Sequence, residues 1–135
     1  MLIPGGHGPM QDLAVNEDVA RVLAAMLPDT SKVVAALCHG QAAFLPAGEA
    51  EGQWLFKGRR LTSFTDEEEA STGLAANAPW LLGERLRQVG ARYDSGPAWS
   101  SYVVVDGNLV TGQNPTSAAE VARAVLGELS ARVGS

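Results

Sequence analysis

The sequence is poor in cysteine and in long apolar runs, and each shortage excludes a class of protein. Cys38 is the single cysteine among 135 residues, so no internal disulfide can form and we expect a reducing, cytoplasmic setting. No apolar run approaches the roughly 20 residues of a membrane span. Met1–Ile3 lead straight into Pro4 without the basic segment of a signal peptide. We therefore expect no membrane partner.

Positive charge and aromatic residues are also scarce. Ten Lys and Arg face fifteen Asp and Glu, which gives a net charge of -5. The basic residues are scattered along the chain, so we expect no nucleic-acid partner. Aromatic residues make up only 6%, and we expect Trp80, Trp99 and Tyr102 to serve a core or an interface. A chain of 135 residues has the size of one domain, and we expect a single domain over residues 1–135.

Helices and strands alternate along the sequence, which predicts an α/β sandwich. Asn16 can cap a helix that runs to about Met26, and the apolar run Val33–Leu37 suits a parallel strand covered on both faces. Asp106-Gly107 predicts a tight hairpin. The further expected elements are a short helix over 40–45, a hairpin or a pair of short strands over 54–56 and 60–64, a helix over 79–89 stopped by Gly90, strands over 102–105 and 109–111, and a last helix from Ser117, as its N-cap, to about Leu129.

The cysteine stands where the apolar run stops. Val33–Leu37 would deliver Cys38 to a sharp turn, after which Gly40 and the small Ala42 and Ala43 let a helix start close to the sheet. This pattern is typical of a nucleophile elbow, in which free backbone N–H groups favour the thiolate. The plainer interpretation of Cys38 alone is an inert, buried small hydrophobe.

A second glycine-rich segment, Pro4–Gly8, can aim backbone N–H groups at an anion. At the carboxyl end of its strand it would face Cys38 across a crevice. One of its N–H groups, together with that of His39, would then form an oxyanion hole. The alternative is an ordinary tight turn.

His39 follows the cysteine directly, and an imidazole at this turn can act as general base or acid if a carboxylate fixes its tautomer. The nearest carboxylates are Asp66–Glu69. Such a run is usually a solvated acidic loop, although one acid has room to point inward and the spacing does not say which. Two histidines and one cysteine without ligand spacing give no metal site, and phosphate-loop and dinucleotide fingerprints are absent. We therefore expect no metal and no cofactor.

Four segments, taken in order, resemble the ThiJ/PfpI family of the class I glutamine amidotransferase-like superfamily, and within it the heat-shock-protein-31-like, glyoxalase III branch. The segments are Pro4–Gly8, Ala36–Gly40, Phe64–Glu69 and Val105–Pro115. The resemblance implies a flavodoxin-like three-layer sandwich with a mostly parallel sheet.

By position, the resemblance also implies roles for individual residues. Cys38 would be the nucleophile, His39 its partner and Glu69 the acid that orients the histidine. The amides of Gly6 and His39 would form the oxyanion hole, and Gly5 and His7 would contact the substrate.

The same resemblance predicts an incomplete sheet. Family members begin with a further βαβ portion, which holds the first strands of the sheet and a glutamate that hydrogen-bonds the reactive cysteine. This sequence has no counterpart to that portion, so the N-terminal strands of the family fold are expected to be missing. Exposed sheet edges tend to be covered, and we expect a second copy, a separate polypeptide that supplies the missing half, or a longer sequence of which this is a piece.

Three functions remain open from the sequence. The resemblance implies a cysteine-dependent enzyme acting on small reactive aldehydes, which converts methylglyoxal to lactate without glutathione. A cysteine hydrolase or peptidase would use the same three residues to make and break an acyl-enzyme; a glutaminase is disfavoured because no histidine follows His39. The third interpretation is a non-catalytic holding chaperone or an oxidation sensor.

Overall fold

The computed structural model describes residues 1–48 and 52–133, which form a sheet flanked by helices. The elements in chain order are β1 (Leu2–Ile3), α1 (Glu17–Met26), β2 (Val34–Leu37), β3 (Arg60–Leu61), α2 (Asp66–Ser71), α3 (Leu82–Val89), β4 (Arg92–Tyr93), β5 (Val103–Asp106), β6 (Leu109–Gly112) and α4 (Ala118–Val133). Short 3-10 turns occupy 8–10, 13–15, 40–44, 75–77 and 115–117. No helix in the described ranges is long and apolar enough to cross a bilayer.

The main sheet has the strand order β1-β2-β6-β5. β1 and β6 both run parallel to β2, with Ile3 opposite Ala36 and Thr111 opposite Ala36 on the other side. β5 runs antiparallel to β6, with Asp106 opposite Leu109, so the tight hairpin predicted at Asp106-Gly107 is confirmed. Because β1, β2 and β6 are parallel, their carboxyl ends meet at one edge of the sheet, where open α/β sheets place their sites.

The central strand is buried on both faces, as its sequence predicts. Val34 and Ala36 pack into a large cluster that includes Leu23 of α1 and Leu86 of α3. The alternate residue Ala35 packs on the other face into a smaller cluster that includes Val121 of α4. A strand with apolar side chains on both faces needs helices on both sides. The fold is therefore the expected α/β sandwich with a mostly parallel sheet.

Several helix boundaries follow from local chemistry. The Asn16 side chain accepts a hydrogen bond from the Val19 N–H at 3.0 Å, as predicted for the cap of α1. α3 ends at Gly90 as predicted but begins at Leu82 rather than Pro79, because Leu81 keeps an extended backbone with ψ at 134°.

The last helix also differs from its prediction. It begins at Ala118 and continues to Val133, four residues beyond the expected end. The hydroxyl of Ser117 bonds to Asn114 Oδ1 and to the Tyr102 backbone. A 3-10 turn over 115–117 leads into this helix, and its cap is Asn114. The Asn114 Oδ1 accepts a hydrogen bond from the Ser117 N–H at 3.1 Å.

Of the hairpin or pair of short strands expected over 54–56 and 60–64, the described residues form one strand, β3, but not the hairpin. β3 pairs in parallel with β4, and Arg60 lies opposite Arg92. Phe56 instead stacks on Phe44 with ring centroids 4.1 Å apart, and the Trp54 indole N–H donates to the Phe44 carbonyl at 2.7 Å. Aromatic packing in the core thus overrides the strand propensity of this segment.

Candidate active site

Cys38 lies directly after β2 with its backbone in the left-handed region, at a φ of 62°. A side chain is uncommon in that region, so the turn must be held from outside. The Cys38 N–H donates to the Gly112 carbonyl at 3.0 Å, and its carbonyl accepts from the Phe64 N–H at 3.0 Å. The sharp turn predicted after the apolar strand is therefore present, with the thiol buried at its tip.

The glycine-rich loop after β1 packs directly against this turn. A Cβ atom at Gly5 would lie 2.7 Å from the Cys38 Cβ, and a Cβ atom at Gly40 would lie 2.6 Å from the Ile3 carbonyl oxygen. Both positions therefore need glycine for close approach of two backbones. Hydrogen bonding from the backbone N–H groups of Gly6 and His39 lowers the pKa of the thiol, and these are the two groups for which the sequence analysis expects an oxyanion-hole role.

The three predicted catalytic side chains form one chain of hydrogen bonds, called the Cys38 line below. Cys38 Sγ is 3.3 Å from His39 Nδ1, and His39 Nε2 is 2.7 Å from Glu69 Oε2. Since the carboxylate accepts a hydrogen bond from Nε2, the bond partners assign the neutral imidazole its proton at Nε2 and leave Nδ1 to accept a hydrogen bond from the thiol. The arrangement connects the thiol, a base and an orienting acid in the order that proton transfer requires.

Burial dominates the electrostatics of this line. Burial raises the pKa of the Cys38 thiol to about 11, outweighing the N–H groups of Gly6 and His39 that lower it. Burial also lowers the pKa of His39, although the hydrogen bond to Glu69 opposes that change. The backbone N–H groups at the turn do favour the thiolate, as expected, but burial of the thiol outweighs them. At neutral pH the resting pair is a thiol beside a neutral imidazole.

The acidic run Asp66–Glu69 is a helix rather than a solvated loop. Thr65 caps α2 in a capping box, with its hydroxyl accepting from the Glu68 N–H at 3.1 Å and its own N–H donating to Glu68 Oε1 at 3.0 Å. Glu67 is exposed, whereas Glu68 and Glu69 are both buried. Two acids therefore point inward where the sequence left room for one.

His7 also reaches the buried carboxylate. Its Nε2 lies 2.8 Å from Glu69 Oε1, and its ring centroid lies 4.1 Å from that of His39. The His7 side chain is 46% exposed, and together with Glu69 it lines a groove of about 230 Å³ whose other walls are largely apolar. The fold thus places His7 between solvent and the Cys38 line, which is consistent with the substrate contact predicted for it.

Other residues of the site were not foreseen. The Phe64 ring lies 4.4 Å from the His39 ring and 5.4 Å from the Trp99 ring, centroid to centroid. Trp99 has a φ of 64° and its side chain carries an indole N–H that donates to Ser71 Oγ at 3.0 Å. Trp99 is 45% exposed, so it flanks the site rather than filling a core. Its neighbours offer no motif from which this role could have been predicted.

Glu68 holds these parts together. Its two carboxylate oxygens accept from the Trp99 N–H at 2.8 Å, Asn114 Nδ2 at 2.9 Å and Gln113 Nε2 at 3.1 Å, besides Thr65. Burial alone would raise the pKa of Glu68, but these hydrogen bonds hold it below its usual range. Gln113 and Asn114 follow the carboxyl end of β6. Sites in open α/β sheets lie at that edge, so their position after the strand could have indicated a place in the site.

Spacing along the sequence did not reveal that three possible metal ligands lie close together. His7 and His39 are 32 residues apart in sequence, yet the described residues bring one ligand atom each of His7, His39 and Glu69 within 4.8 Å of one another. Histidine nitrogens and a carboxylate oxygen are groups that can bind a metal ion.

An α/β sandwich that carries a cysteine on a strained turn after its central parallel strand, with a histidine and a buried carboxylate in line behind it, belongs to the class of cysteine-centred nucleophile-elbow proteins. Residues 1–128 match the DJ-1/PfpI family, and the chain belongs to that family. This finding agrees with the resemblance seen in the sequence, including its glyoxalase III branch.

Relatives in both sequence and structure carry glyoxalase names. The chain is 35% identical over 128 residues to Glyoxalase 3 of Candida albicans, covering 90% of this chain and 53% of the relative. It is 36% identical over 120 residues to the glutathione-independent glyoxalase HSP31 of Saccharomyces cerevisiae, covering 84% and 50%. The crystal structure of glyoxalase III from Candida albicans matches with a TM-score of 0.83 and 30% identity, over 94% of this chain and 55% of that one.

A further solved structure, the rapid encystment protein of 24 kDa from Francisella tularensis, matches with a TM-score of 0.89 and 34% identity, over 95% of this chain and 57% of that one. The chain therefore spans about half the length of the relatives it matches. It corresponds to the part of the flavodoxin-like family fold that holds the cysteine turn, the acidic helix and the glycine-rich loop.

Proposed function

We propose that the chain carries the catalytic part of a glutathione-independent glyoxalase or deglycase, which acts on small reactive aldehydes through Cys38, His39 and Glu69. The observation that supports it best is the line from thiol to imidazole to carboxylate, with distances of 3.3 Å and 2.7 Å. The glyoxalase names of the relatives agree with this chemistry. Methylglyoxal, with lactate as product, is the proposed substrate.

The first step joins the substrate to the enzyme. His39 Nδ1 takes the thiol proton as the Cys38 sulfur bonds to the aldehyde carbon, and the aldehyde oxygen becomes an alkoxide. The backbone N–H groups of Gly6 and His39, whose hydrogen bonding lowers the pKa of the thiol, would stabilise that alkoxide. Glu69 stabilises the imidazolium that forms, and return of the proton to the alkoxide completes a hemithioacetal.

The second step moves a proton between the two substrate carbons. His39 removes the hydrogen of the former aldehyde carbon as a proton, the electron pair forms an enediolate, and the proton is returned to the neighbouring carbon. The hydroxyl proton on the first carbon passes to the oxygen of the neighbouring carbon, which becomes the alcohol. The first carbon is oxidised to a thioester and the second is reduced to an alcohol, so no external oxidant is needed. Water then cleaves the thioester, which releases lactate and restores the Cys38 thiol.

The scheme uses no metal or cofactor because one substrate carbon is oxidised while the other is reduced. In this scheme His39 carries the thiol proton and then the proton that moves between the two carbons, and Glu69 holds the tautomer of its ring. His39 Nδ1 is hydrogen-bonded to the thiol at 3.3 Å, so His39 carries both proton transfers in this scheme. The proposal therefore predicts stronger dependence on His39 than a site with two proton carriers would show.

The test is lactate formation from methylglyoxal in the absence of glutathione, followed by NMR. We expect Cys38→Ala and Cys38→Ser to abolish turnover, and Glu69→Gln to lower kcat by roughly 10²-fold or more because the imidazolium loses its counter-charge. Glu67→Gln, an exposed change in the same helix, is the matched control and should keep full activity. Full turnover by Cys38→Ser would overturn the proposal.

A cysteine hydrolase or peptidase is the second candidate, and the two backbone N–H groups at the thiol favour it specifically, since they also suit an acyl-enzyme oxyanion. The two candidates separate under one assay. Incubation with an activated ester would give a burst of leaving group and an acyl adduct on Cys38 by mass spectrometry. Lactate formation without such a burst favours the glyoxalase.

The oxidation-sensor interpretation is less well supported, because sensor cysteines are exposed and have a low pKa. Cys38 is 5% exposed and burial raises its pKa to about 11. A holding chaperone is tested separately by suppression of client aggregation with Cys38→Ala. Suppression equal to that of the unaltered chain, together with no glyoxalase turnover, would favour the chaperone.

We also propose that the outer edge of β1 is covered in the working protein, by a second copy, a partner polypeptide or further residues of a longer chain. β1 lies at one end of the described sheet, and Leu2 is 54% exposed. Unpaired strand edges invite pairing. Light scattering combined with intact-mass measurement tests this: a monomer of 14.1 kDa at assay concentration would contradict association of this chain.

A further inference from the structure

The two histidines of the chain meet on opposite oxygens of one buried carboxylate. His7 Nε2 contacts Glu69 Oε1 at 2.8 Å, and His39 Nε2 contacts Glu69 Oε2 at 2.7 Å. These are all the histidines that the sequence contains. The proposed reaction uses the His39 contact, whereas it gives the His7 contact no chemical task.

We propose that His7, His39 and Glu69 form a binding site for a divalent transition-metal ion such as Zn²⁺, and that occupation of the site inhibits the enzyme. Two imidazoles and one carboxylate are a donor set that holds Zn²⁺ in proteins, with a fourth position left to water. One candidate ligand atom from each side chain lies within 4.8 Å of the other two. The site differs from the cysteine centre in its third member, His7, and shares His39 and Glu69 with it.

Small movements would complete the geometry. Ligand atoms about 2.0–2.1 Å from a tetrahedral Zn²⁺ lie about 3.3 Å from one another, so the most distant pair must close by about 1.5 Å. His7 can supply that movement, because its side chain is 46% exposed and that of Glu69 is only 7% exposed. The groove of about 230 Å³ beside His7 and Glu69 gives the ion and its water a route from solvent.

Cys38 is excluded from the ligand set by the direction of the His39 ring. Sγ lies 3.3 Å from Nδ1, whereas the other two donors lie on the Nε2 side. The two ring nitrogens point away from each other, so an ion held at Nε2 cannot also bind the sulfur without rotation of the buried ring. A site built from these residues is therefore a nitrogen and oxygen site.

Inhibition follows from the number of protons that an imidazole can hold. With a metal ion on Nε2, His39 has one nitrogen left, so it cannot become the imidazolium that the proposed transfers require. The ion also occupies Glu69, which would otherwise stabilise that imidazolium. This inhibitory effect rests on the proposed function, whereas binding of the ion does not.

Binding is tested with Co²⁺, added to untagged protein and followed by its visible d–d absorption. We expect saturation near one Co²⁺ per chain, without a sulfur-to-metal charge-transfer band. His7→Gln and Glu69→Gln should weaken binding by roughly tenfold or more, while Cys38→Ala and the exposed control Glu67→Gln should bind as the unaltered chain does. Far-UV circular dichroism confirms that each variant is folded, and His7→Gln, at a largely exposed position, remains informative if Glu69→Gln unfolds.

The inference is overturned if Co²⁺ does not saturate, if His7→Gln binds unchanged, or if an intense charge-transfer band places Cys38 on the ion. Inhibition is then measured as loss of lactate formation with added Zn²⁺ and its recovery with a chelator. A chain that binds Co²⁺ as described but forms no lactate contradicts the proposed function and leaves the metal site standing. A chain that forms lactate equally well with the site saturated contradicts the inhibitory role alone.

Discussion

Replacing Glu68 by glutamine should destabilise the protein far more than its conservative size suggests. The Glu68 side chain is fully buried, and its two oxygens accept five hydrogen bonds. Those bonds hold the pKa of Glu68 below its usual range, so the buried group is a carboxylate. A glutamine fits the space but replaces one acceptor oxygen with a donor.

The size of the effect follows from the two oxygens. If the glutamine oxygen takes the Oε1 position, its three donors there are kept, and the new NH₂ group faces the Trp99 N–H and Asn114 Nδ2, which lie 2.8 Å and 2.9 Å from Oε2. Each buried donor left without an acceptor costs about 1–3 kcal/mol. We therefore expect Glu68→Gln to lower the free energy of unfolding by about 2–6 kcal/mol.

Urea denaturation measures this loss. With a slope of about 2 kcal/mol per molar urea, the midpoint should fall by about 1–3 M. The matched control is Glu67→Gln, which removes the neighbouring exposed charge and should change stability by no more than about 0.5 kcal/mol. A loss below about 1 kcal/mol in Glu68→Gln would refute the reasoning, because it would mean that Glu68 is protonated when buried.

The pH dependence gives an independent check. Because the folded pKa lies below the ordinary value of 4.5, the stabilisation by Glu68 is fully present above that pH and is lost as pH falls through the lower folded value. The difference between the unaltered chain and Glu68→Gln should therefore be largest near neutral pH and should shrink in acid.

Three further predictions concern the cysteine turn and its support. The pKa of Cys38 is raised to about 11, so its alkylation by iodoacetamide should keep accelerating about tenfold per pH unit up to pH 10; a plateau near pH 9 would contradict the raised pKa. Gly5→Ala should cost about 1–3 kcal/mol and most of the turnover, since its Cβ would lie 2.7 Å from the Cys38 Cβ, whereas Gly8→Ala, which meets nothing within 4 Å, is the control; equal melting temperatures for the two variants would count against the close contact. Asp106→Asn should lower stability by about 1 kcal/mol, because Asp106 Oδ2 accepts from the Arg59 guanidinium and the Arg60 N–H, each at 2.9 Å; thermal unfolding measures it, and an unchanged melting temperature would argue against both bonds.

Local signals predicted the parts of the fold that depend on neighbouring residues. The helix cap at Asn16 and the hairpin at Asp106-Gly107 are set by hydrogen bonds and backbone angles within a few residues. The buried strand Val34–Leu37 is apolar on both faces, so its central position could be read directly. The turn at Cys38 followed from the same run, since a small-residue segment comes directly after it.

What failed depends on contacts between distant residues. The segment at Trp54 has strand propensity, but its aromatic side chains are drawn into the core beside Phe44, which no local pattern encodes. Likewise, four consecutive acids give no indication of which ones face inward. Burial of Glu68 depends on donors from Gln113 and Asn114, 45 and 46 residues away, and the approach of His7 to Glu69 spans 62 residues.

Because β1 is short, pairing at its outer edge would affect the position of the Gly6 N–H beside the thiol. Only two residue pairs, Leu2 with Ala35 and Ile3 with Ala36, hold this strand in the sheet, and Gly6, whose N–H reaches the thiol, follows three residues after the second pair. A polypeptide that paired with the outer edge of β1 would clamp the strand from both sides and so fix the height of that N–H above the sulfur. Dilution of such a complex would loosen the oxyanion hole before it disturbed the core, and the specific activity would depend on protein concentration while the melting of the helices did not.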